Sequence, residues 1–412
     1  MTPPAVSPES EGVDINHRSH RRSRWADLSI PAIVAGVVAV LVSFGSTAVL
    51  MVKAGESAGL SAAAIGSWIG AICLGLGLTG AYLSIKLRVP VIYAWSTPGA
   101  ALLIPVLAGF PFDQAVGAFM LAAALTLVCG LMGWVDVILR RIPPELAAAM
   151  LAGVLFNFGM GVFKALESDM WLVLAMMATY LIGRRWFARY AIFGVLLAGL
   201  AWALPGKGPV LASLDWGITH FVWTTPSFSV QAAISIAIPL FIVSMASQNL
   251  PGLAILQTAG YRPKASQTVA ASGLAGLLTA PFGAHSITLG AIVAALMSGK
   301  QAHPDPTRRY WAAATYGILY IALAACAGAV AMLFQALPPA YVAALAGLAL
   351  LGPIMGGLST AMANSNKREA ALITVLATAS GFTLGGIGSA FWGLVAGMIA
   401  DAVLTQPRKS KS

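Results

Sequence analysis

The stretch VIYAWSTPGAALLIPV, Val91 to Val106, is an apolar run with Trp-Ser-Thr-Pro-Gly set in its middle. Inside a helix, a proline such as Pro98 removes a backbone hydrogen bond and clashes with the preceding turn. A hydroxyl residue followed by proline is instead a helix start. The run therefore reads as extended chain over 89–95, then a short helix capped by Ser96 or Thr97. A second run, LLTAPFGAHSITLGAIVAAL (Leu277 to Leu296), is broken by Pro281 and Gly283, with Ser286 expected to cap a helix reaching Met297. Each break alone could be a kink between packed helices. Two breaks at corresponding places in the two halves call for a common cause.

Composition says where these runs lie. Of 412 residues, 58% are hydrophobic and only 9% charged, with a mean hydropathy of +0.84. Soluble domains carry about 25% charged residues, so this chain cannot clothe a water-facing surface. Apolar segments of about 18 to 25 residues, the length that crosses a bilayer as helix, recur from Ile30 to Leu404. They are placed at 30–52, 61–85, 89–107, 114–139, 145–164, 169–183 and 187–204, then at 230–257, 265–281, 284–298, 309–336, 340–362, 369–384 and 386–404. Several are short, and plain hydropathy could merge neighbours into 12.

The net charge of +10 is not a nucleic-acid patch. With the amino terminus inside and one crossing per segment, 21 of the 24 Lys and Arg residues fall on the cytoplasmic side; Lys53, Lys164 and Lys207 do not. That asymmetry is the positive-inside signal, and it puts both termini in the cytoplasm. Residues 1–24 read as a disordered basic tail, without the cleavage site of a signal peptide. A first repeat (25–204), an outer loop (205–229), a second repeat (230–405) and a basic tail (406–412) follow. Seven segments per half start the second half on the opposite face, which makes an inverted repeat. Weak echoes accompany it: Val42-Ser43 and Ser46 with Val243-Ser244 and Ser247, Ala54-Gly55 with Ala259-Gly260, and Ala94, Ser96 and Ala101 with Ala284, Ser286 and Ala291.

Broken helices at matching places of two inverted halves mark a transporter's substrate site, because irregular backbone at that depth must line a cavity or be buried in protein. Two helix starts aimed into one cavity favour an anion. Ser96, Thr97 and Ser286 are candidate donors to it, and Tyr93, Trp95, Phe282 and Phe44 candidate cover for a flat apolar body. Gln248 and Asn249, before Pro251-Gly252, either line the cavity or glue helices together. His285 is the one ionisable residue placed near the middle of a segment. It is a candidate both to face the substrate carboxylate and to carry or gate the coupled proton, the alternative being a neutral bridge between helices.

Soluble-enzyme motifs contribute nothing. GLGLTG (Gly75 to Gly80) fits G-x-G-x-x-G but lies within an apolar segment with no strand before it. Gly66/Gly70, Gly352/Gly356 and Gly393/Gly397 read as close helix packing. Cys73, Cys129 and Cys326 show no paired spacing. No cofactor, metal site or enzymatic activity is expected.

The motifs AWSTPGAAL (Ala94–Leu102), ASQNLPGLAIL (Ala246–Leu256) and PFGAHSITLGAI (Pro281–Ile292) resemble the BenE family of benzoate:proton symporters, over roughly residues 25–405. The family is similar in architecture to nucleobase and sulfate transporters. The resemblance implies an all-α polytopic membrane protein of about 14 segments in two inverted repeats of seven. It also implies a core domain (segments 1–4 and 8–11), a gate domain (5–7 and 12–14), and short paired strands before the half-helices of segments 3 and 10. Nucleobase relatives carry carboxylates in segments 8 and 10, where this chain has Gln248, Asn249 and His285. The expected function is import of benzoate or a close aromatic carboxylate with a proton, across the inner membrane of the cell. A nucleobase permease or an uncoupled anion channel are the alternatives. A homo-oligomer is compatible with the sequence.

Overall fold

The computed structural model describes residues 28–134, 143–205, 217–299, 302–384 and 387–404. Both basic tails, Arg140, Arg141, Lys207 and Lys300 lie outside the described residues. Apart from single 3-10 turns, the described residues form fourteen helices and four very short strands.

The first half runs α1 (Ile30–Ser57), α2 (Ala62–Leu87), β1 (Tyr93–Trp95), α3 (Thr97–Leu107), α4 (Phe112–Leu131), α5 (Pro144–Ala165), α6 (Met170–Trp186) and α7 (Ala191–Ala203). The second half runs α8 (230–258), α9 (Ala265–Thr279), β2 (Ile287–Leu289), α10 (Ala291–Ser298), α11 (Tyr310–Gln335), α12 (Pro339–Ala361), α13 (Arg368–Ala379) and α14 (Ser389–Leu404), with a small ladder of β3 (Thr383–Leu384) and β4 (Ile387–Gly388) before α14. Helix starts follow local chemistry. Ser29, Ser61, Asp169 and Ser229 side chains cap α1, α2, α6 and α8, and prolines open α5 and α12. Among the described residues α2, α4, α5, α8, α11 and α12 are each long and apolar enough to cross a membrane. At 1.5 Å per residue, α3 and α10 span only about half of a ~30 Å hydrocarbon layer or less.

Packing shows the two-fold relation that sequence identities only hint at. The pair α2–α11 is matched by α9–α4, α1–α11 by α8–α4, α1–α3 by α8–α10, and α6–α7 by α13–α14, while α5 packs on its own counterpart α12. Helices α1–α4 and α8–α11 form one group, and α5–α7 with α12–α14 the other. The pairs at the centre of the first group approach on glycine. A Cβ at Gly66 would stand 2.6 Å from Gly328 Cα, and one at Gly77 2.6 Å from the Gly317 carbonyl oxygen. So GLGLTG is a packing surface. A Cβ at Gly352 or Gly356, by contrast, would meet nothing within 4 Å among the described residues, so the expected contact is not made there. In the second group Lys367 lies 3.6 Å from Asp401 and 3.9 Å from Glu145, joining the starts of α5 and α13 to the end of α14. Cys73, Cys129 and Cys326 are free.

Candidate substrate site

Strands β1 and β2 come from opposite halves and meet antiparallel, with Tyr93 opposite Leu289, Ala94 opposite Thr288 and Trp95 opposite Ile287. Each strand leads into a half-helix, so the starts of α3 and α10 stand at the two ends of one ladder.

The two starts differ. At α3 the Ser96 hydroxyl accepts from Gly99 N (3.0 Å), and the Thr97 hydroxyl meets Thr47 of α1 at 2.7 Å. At α10 the capping position is Gly290, which has no side chain to offer the first turn. Ser286 therefore does not cap α10, contrary to expectation. Residues 287–289 are taken by the strand, and the helix begins five residues later than Ser286, at Ala291. Thr97 and Ala291, like Tyr93 and Ile287, are 194 positions apart, so the echo of Ser96 in Ser286 was out of register by four. The Ala54-Gly55 echo is out of register too. The left-handed glycine after α1 is Gly59 (φ 69°), and Gly260 (φ 88°) is its counterpart after α8.

Of the expected residues, the fold gathers some at the ladder and turns others away. Trp95 is buried between Phe44 of α1 (ring centroids 5.4 Å apart) and Tyr320 of α11 (5.5 Å, edge-on), and its indole N–H has no hydrogen-bond partner among the described residues. Tyr320 packs in turn against the tilted ring of Tyr316 (centroids 4.7 Å apart), whose hydroxyl donates to Ser43 (3.3 Å). Gln248 is half-buried in a π-helical turn, Met245–Asn249, that touches β2, α10 and also α5 of the second group. Its neighbour Asn249 is fully buried; its carbonyl accepts from Leu289 N (2.9 Å), which makes it the glue of the two readings. Tyr93 points into the core, its hydroxyl on the Thr268 carbonyl at 2.6 Å. Phe282 lies away from the ladder, edge-on to Phe221 and Trp223. Ser286 pairs with Ser244 (3.0 Å) at a small cavity that Thr126 and Ser272 also line.

His285 is buried, and both of its ring nitrogens are engaged within the protein. Trp68 Nε1 can only donate, so His285 Nδ1 accepts from it (3.2 Å) and the proton sits on Nε2, facing the Ser96 carbonyl at 3.2 Å. The ring stands edge-on to Trp68 and Phe119. Thus His285 ties α2 to the residue that caps α3.

Sequence reasoning missed Ser43, Thr47, Trp68, Tyr316 and Tyr320. Their signal was present in part: Tyr316 and Tyr320 are four apart in an apolar helix, which puts two hydroxyls on one face.

A match over residues 26–403 to the family described as benzoate membrane transport protein settles the kinship. The chain belongs to the BenE family. It is 40% identical over 386 residues to the benzoate membrane transport protein of Acinetobacter baylyi, covering 93% of this chain and 98% of that one. It is also 40% identical over 374 residues to the inner membrane protein YdcO of Escherichia coli, covering 91% and 96%. Among solved structures, the transmembrane domain of a cyanobacterial bicarbonate transporter, BicA, superposes with a TM-score of 0.56 at 14% identity, covering 91% of this chain and 96% of that one. SLC26A9 does so at 0.59 and 12% identity, covering 93% and 67%. Those likenesses show the inverted-repeat fold of this BenE-family chain. It is a multi-pass membrane transporter and not an enzyme.

Proposed function

We propose that this BenE-family transporter carries benzoate, or a closely related aromatic carboxylate, inward together with a proton. The reading is carried by one observation: two half-helix starts flank a three-residue ladder whose side is an aromatic wall. The uncapped first turn of α10 offers backbone N–H groups to a carboxylate, with Thr97 and Gln248 as side-chain donors. Phe44, Trp95 and Tyr320 suit the ring, and the unpaired Trp95 indole N–H adds a polar edge. Residues 89–107, 230–258 and 280–298 contain no Asp or Glu, so no fixed negative charge on these segments repels an anion.

Coupling to a proton follows from energetics. Drawing a monoanion inward against a negative-inside potential costs about 2.3 kcal/mol per 100 mV. One accompanying proton makes the cycle electroneutral and adds the pH gradient. His285 is the proposed proton site, acting through its contacts rather than by touching substrate. A proton can be added only at Nδ1, where it would face the Trp68 N–H, so protonation breaks that bond and loosens the hold of α2 on the turn before β2. The helix group α1–α4 with α8–α11 then moves against the other group, with both termini in the cytoplasm.

The test is uptake of labelled benzoate into proteoliposomes, with and without an acidic exterior. Accumulation that requires the gradient supports the reading. Saturable uptake indifferent to pH removes the coupling, and uptake of uracil in preference to benzoate removes the substrate.

A further inference from the structure

The chain that links the two repeats does not hang free in its described part. Over 218–229 it forms neither helix nor strand and lies across one end of the first helix group. Thr219 N donates to the Ala325 carbonyl (2.8 Å) and Gly328 N to the Thr219 hydroxyl (3.0 Å), both on α11. Val222 N donates to the Ser67 hydroxyl on α2 (2.9 Å), and Thr224 N to the Pro281 carbonyl (2.8 Å). Ser227 N and Oγ both donate to Asp113 at the start of α4. A surface loop ordinarily gives such groups to water. Here they satisfy, and are satisfied by, the core itself.

Two adjacent residues of α2 connect this strap to the buried histidine. The Ser67 hydroxyl, which accepts from the strap, donates to the Phe282 carbonyl (3.1 Å), while Trp68 Nε1 donates to His285. The Phe282 ring is held between Phe221 (5.9 Å) and Trp223 (5.4 Å) of the strap. Between Phe282 and His285 lies Gly283, in the left-handed region (φ 99°), where a Cβ would stand 3.0 Å from Trp68 Cβ. The turn 282–285 is thus held against a single turn of α2. The two His285 contacts, at 3.2 Å each, sit at the long edge of the hydrogen-bond range, so a shift of a few tenths of an ångström in this turn breaks one of them.

We propose that the strap positions His285, with Ser67 as the positioning residue that couples Val222 and Phe282 to the Trp68–His285 bond. Its consequence for transport rests on the reading of His285 as the proton site; its consequence for the imidazole does not. Two readouts keep them apart. Purified full-length protein is treated with diethyl pyrocarbonate and modification of His285 is followed by mass spectrometry, with His303 as internal reference. The same variants, reconstituted, are assayed for pH-driven accumulation of benzoate and for the pH dependence of counterflow.

The expectation is that His285 of the parent is protected, and that Ser67→Ala and Trp223→Ala raise its modification at least tenfold relative to His303. Ser67→Thr, which keeps the hydroxyl, should restore protection. Ser67→Ala should also lower driven accumulation about tenfold and flatten the pH profile, with little change in apparent affinity. Protection of His285 in both alanine variants equal to the parent overturns the positioning proposal. If His285 becomes reactive while the pH profile keeps its shape, the strap positions the imidazole and the proton reading of His285 fails instead. If Ser67→Ala loses the folded protein, Trp223→Ala, which removes only ring contacts, decides.

Discussion

At the scale of single residues, His285 and Trp68 form a one-proton arrangement: a single N–H sits between the two rings, donated by the indole. A glutamine at 285 can keep one hydrogen bond but cannot titrate near neutral pH. His285→Gln should therefore abolish pH-driven accumulation of benzoate, while counterflow exchange survives and loses its pH dependence; accumulation equal to the parent would place the proton elsewhere. Ser96 and Thr97 part company in the structure, Ser96 capping α3 and Thr97 reaching α1 through Thr47. Losing a hydrogen bond to a charged ligand costs about 1.5–3 kcal/mol, which is roughly ten- to a hundredfold in affinity. Thr97→Ala should weaken benzoate binding by that factor in a competition assay. Ser286→Ala, whose hydroxyl faces Ser244 rather than the start of α10, should leave it unchanged.

Among the elements, the start of α10 is set by strand pairing. Because β2 occupies 287–289 opposite β1, the first helical residue falls at Ala291 and the cap at Gly290. A Cβ on Gly290 would come within 2.9 Å of Ala94 Cβ, so the ladder itself forbids a larger capping side chain there. The end of β2 depends in turn on α8, where the buried Asn249 carbonyl accepts from Leu289 N. Replacing Asn249 by leucine leaves that buried N–H unpaired, at a cost of about 1–3 kcal/mol. Asn249→Leu should lower the thermal midpoint of the purified protein, while Gln248→Leu, in the same π-turn, should preserve the midpoint and weaken substrate binding. A lowered midpoint in both variants, with affinity untouched, would make Gln248 structural as well.

Across the whole molecule, the symmetric packing of α2–α11 with α9–α4 goes with inversion of the two halves. One crossing per segment makes successive segment ends alternate in side, and seven crossings per half invert the second repeat. Lys164 at the end of α5 should then be outside and Arg184 at the end of α6 inside. In a cysteine-free background, a cysteine at 164 should react with an impermeant maleimide in intact cells, and one at 184 only after permeabilisation. Labelling of both from the same side would remove the topology and the inversion together.

From sequence alone came what depends on local chemistry and on the bilayer as solvent. Charge scarcity and segment length imply a polytopic protein, the prolines of the two broken runs locate the breaks, and Ser96-Thr97-Pro98 reads as a helix start wherever it is placed. BenE kinship too was readable in three short motifs. What the sequence could not decide was everything that depends on which surfaces meet. Ser286 looked like a cap because a hydroxyl after a broken run is one locally; only pairing with Tyr93–Trp95 turned 287–289 into strand and moved the helix start away. Asn249 and Gln248 are chemically alike, yet a turn of one helix buries the first under β2 and leaves the second half-buried. His285 was visible as a lone ionisable group, but that both its nitrogens are already used follows from Trp68 and Ser96, 217 and 189 positions away. Hydrogen bonds between such distant residues are set by the fold, and no local pattern in the chain encodes them.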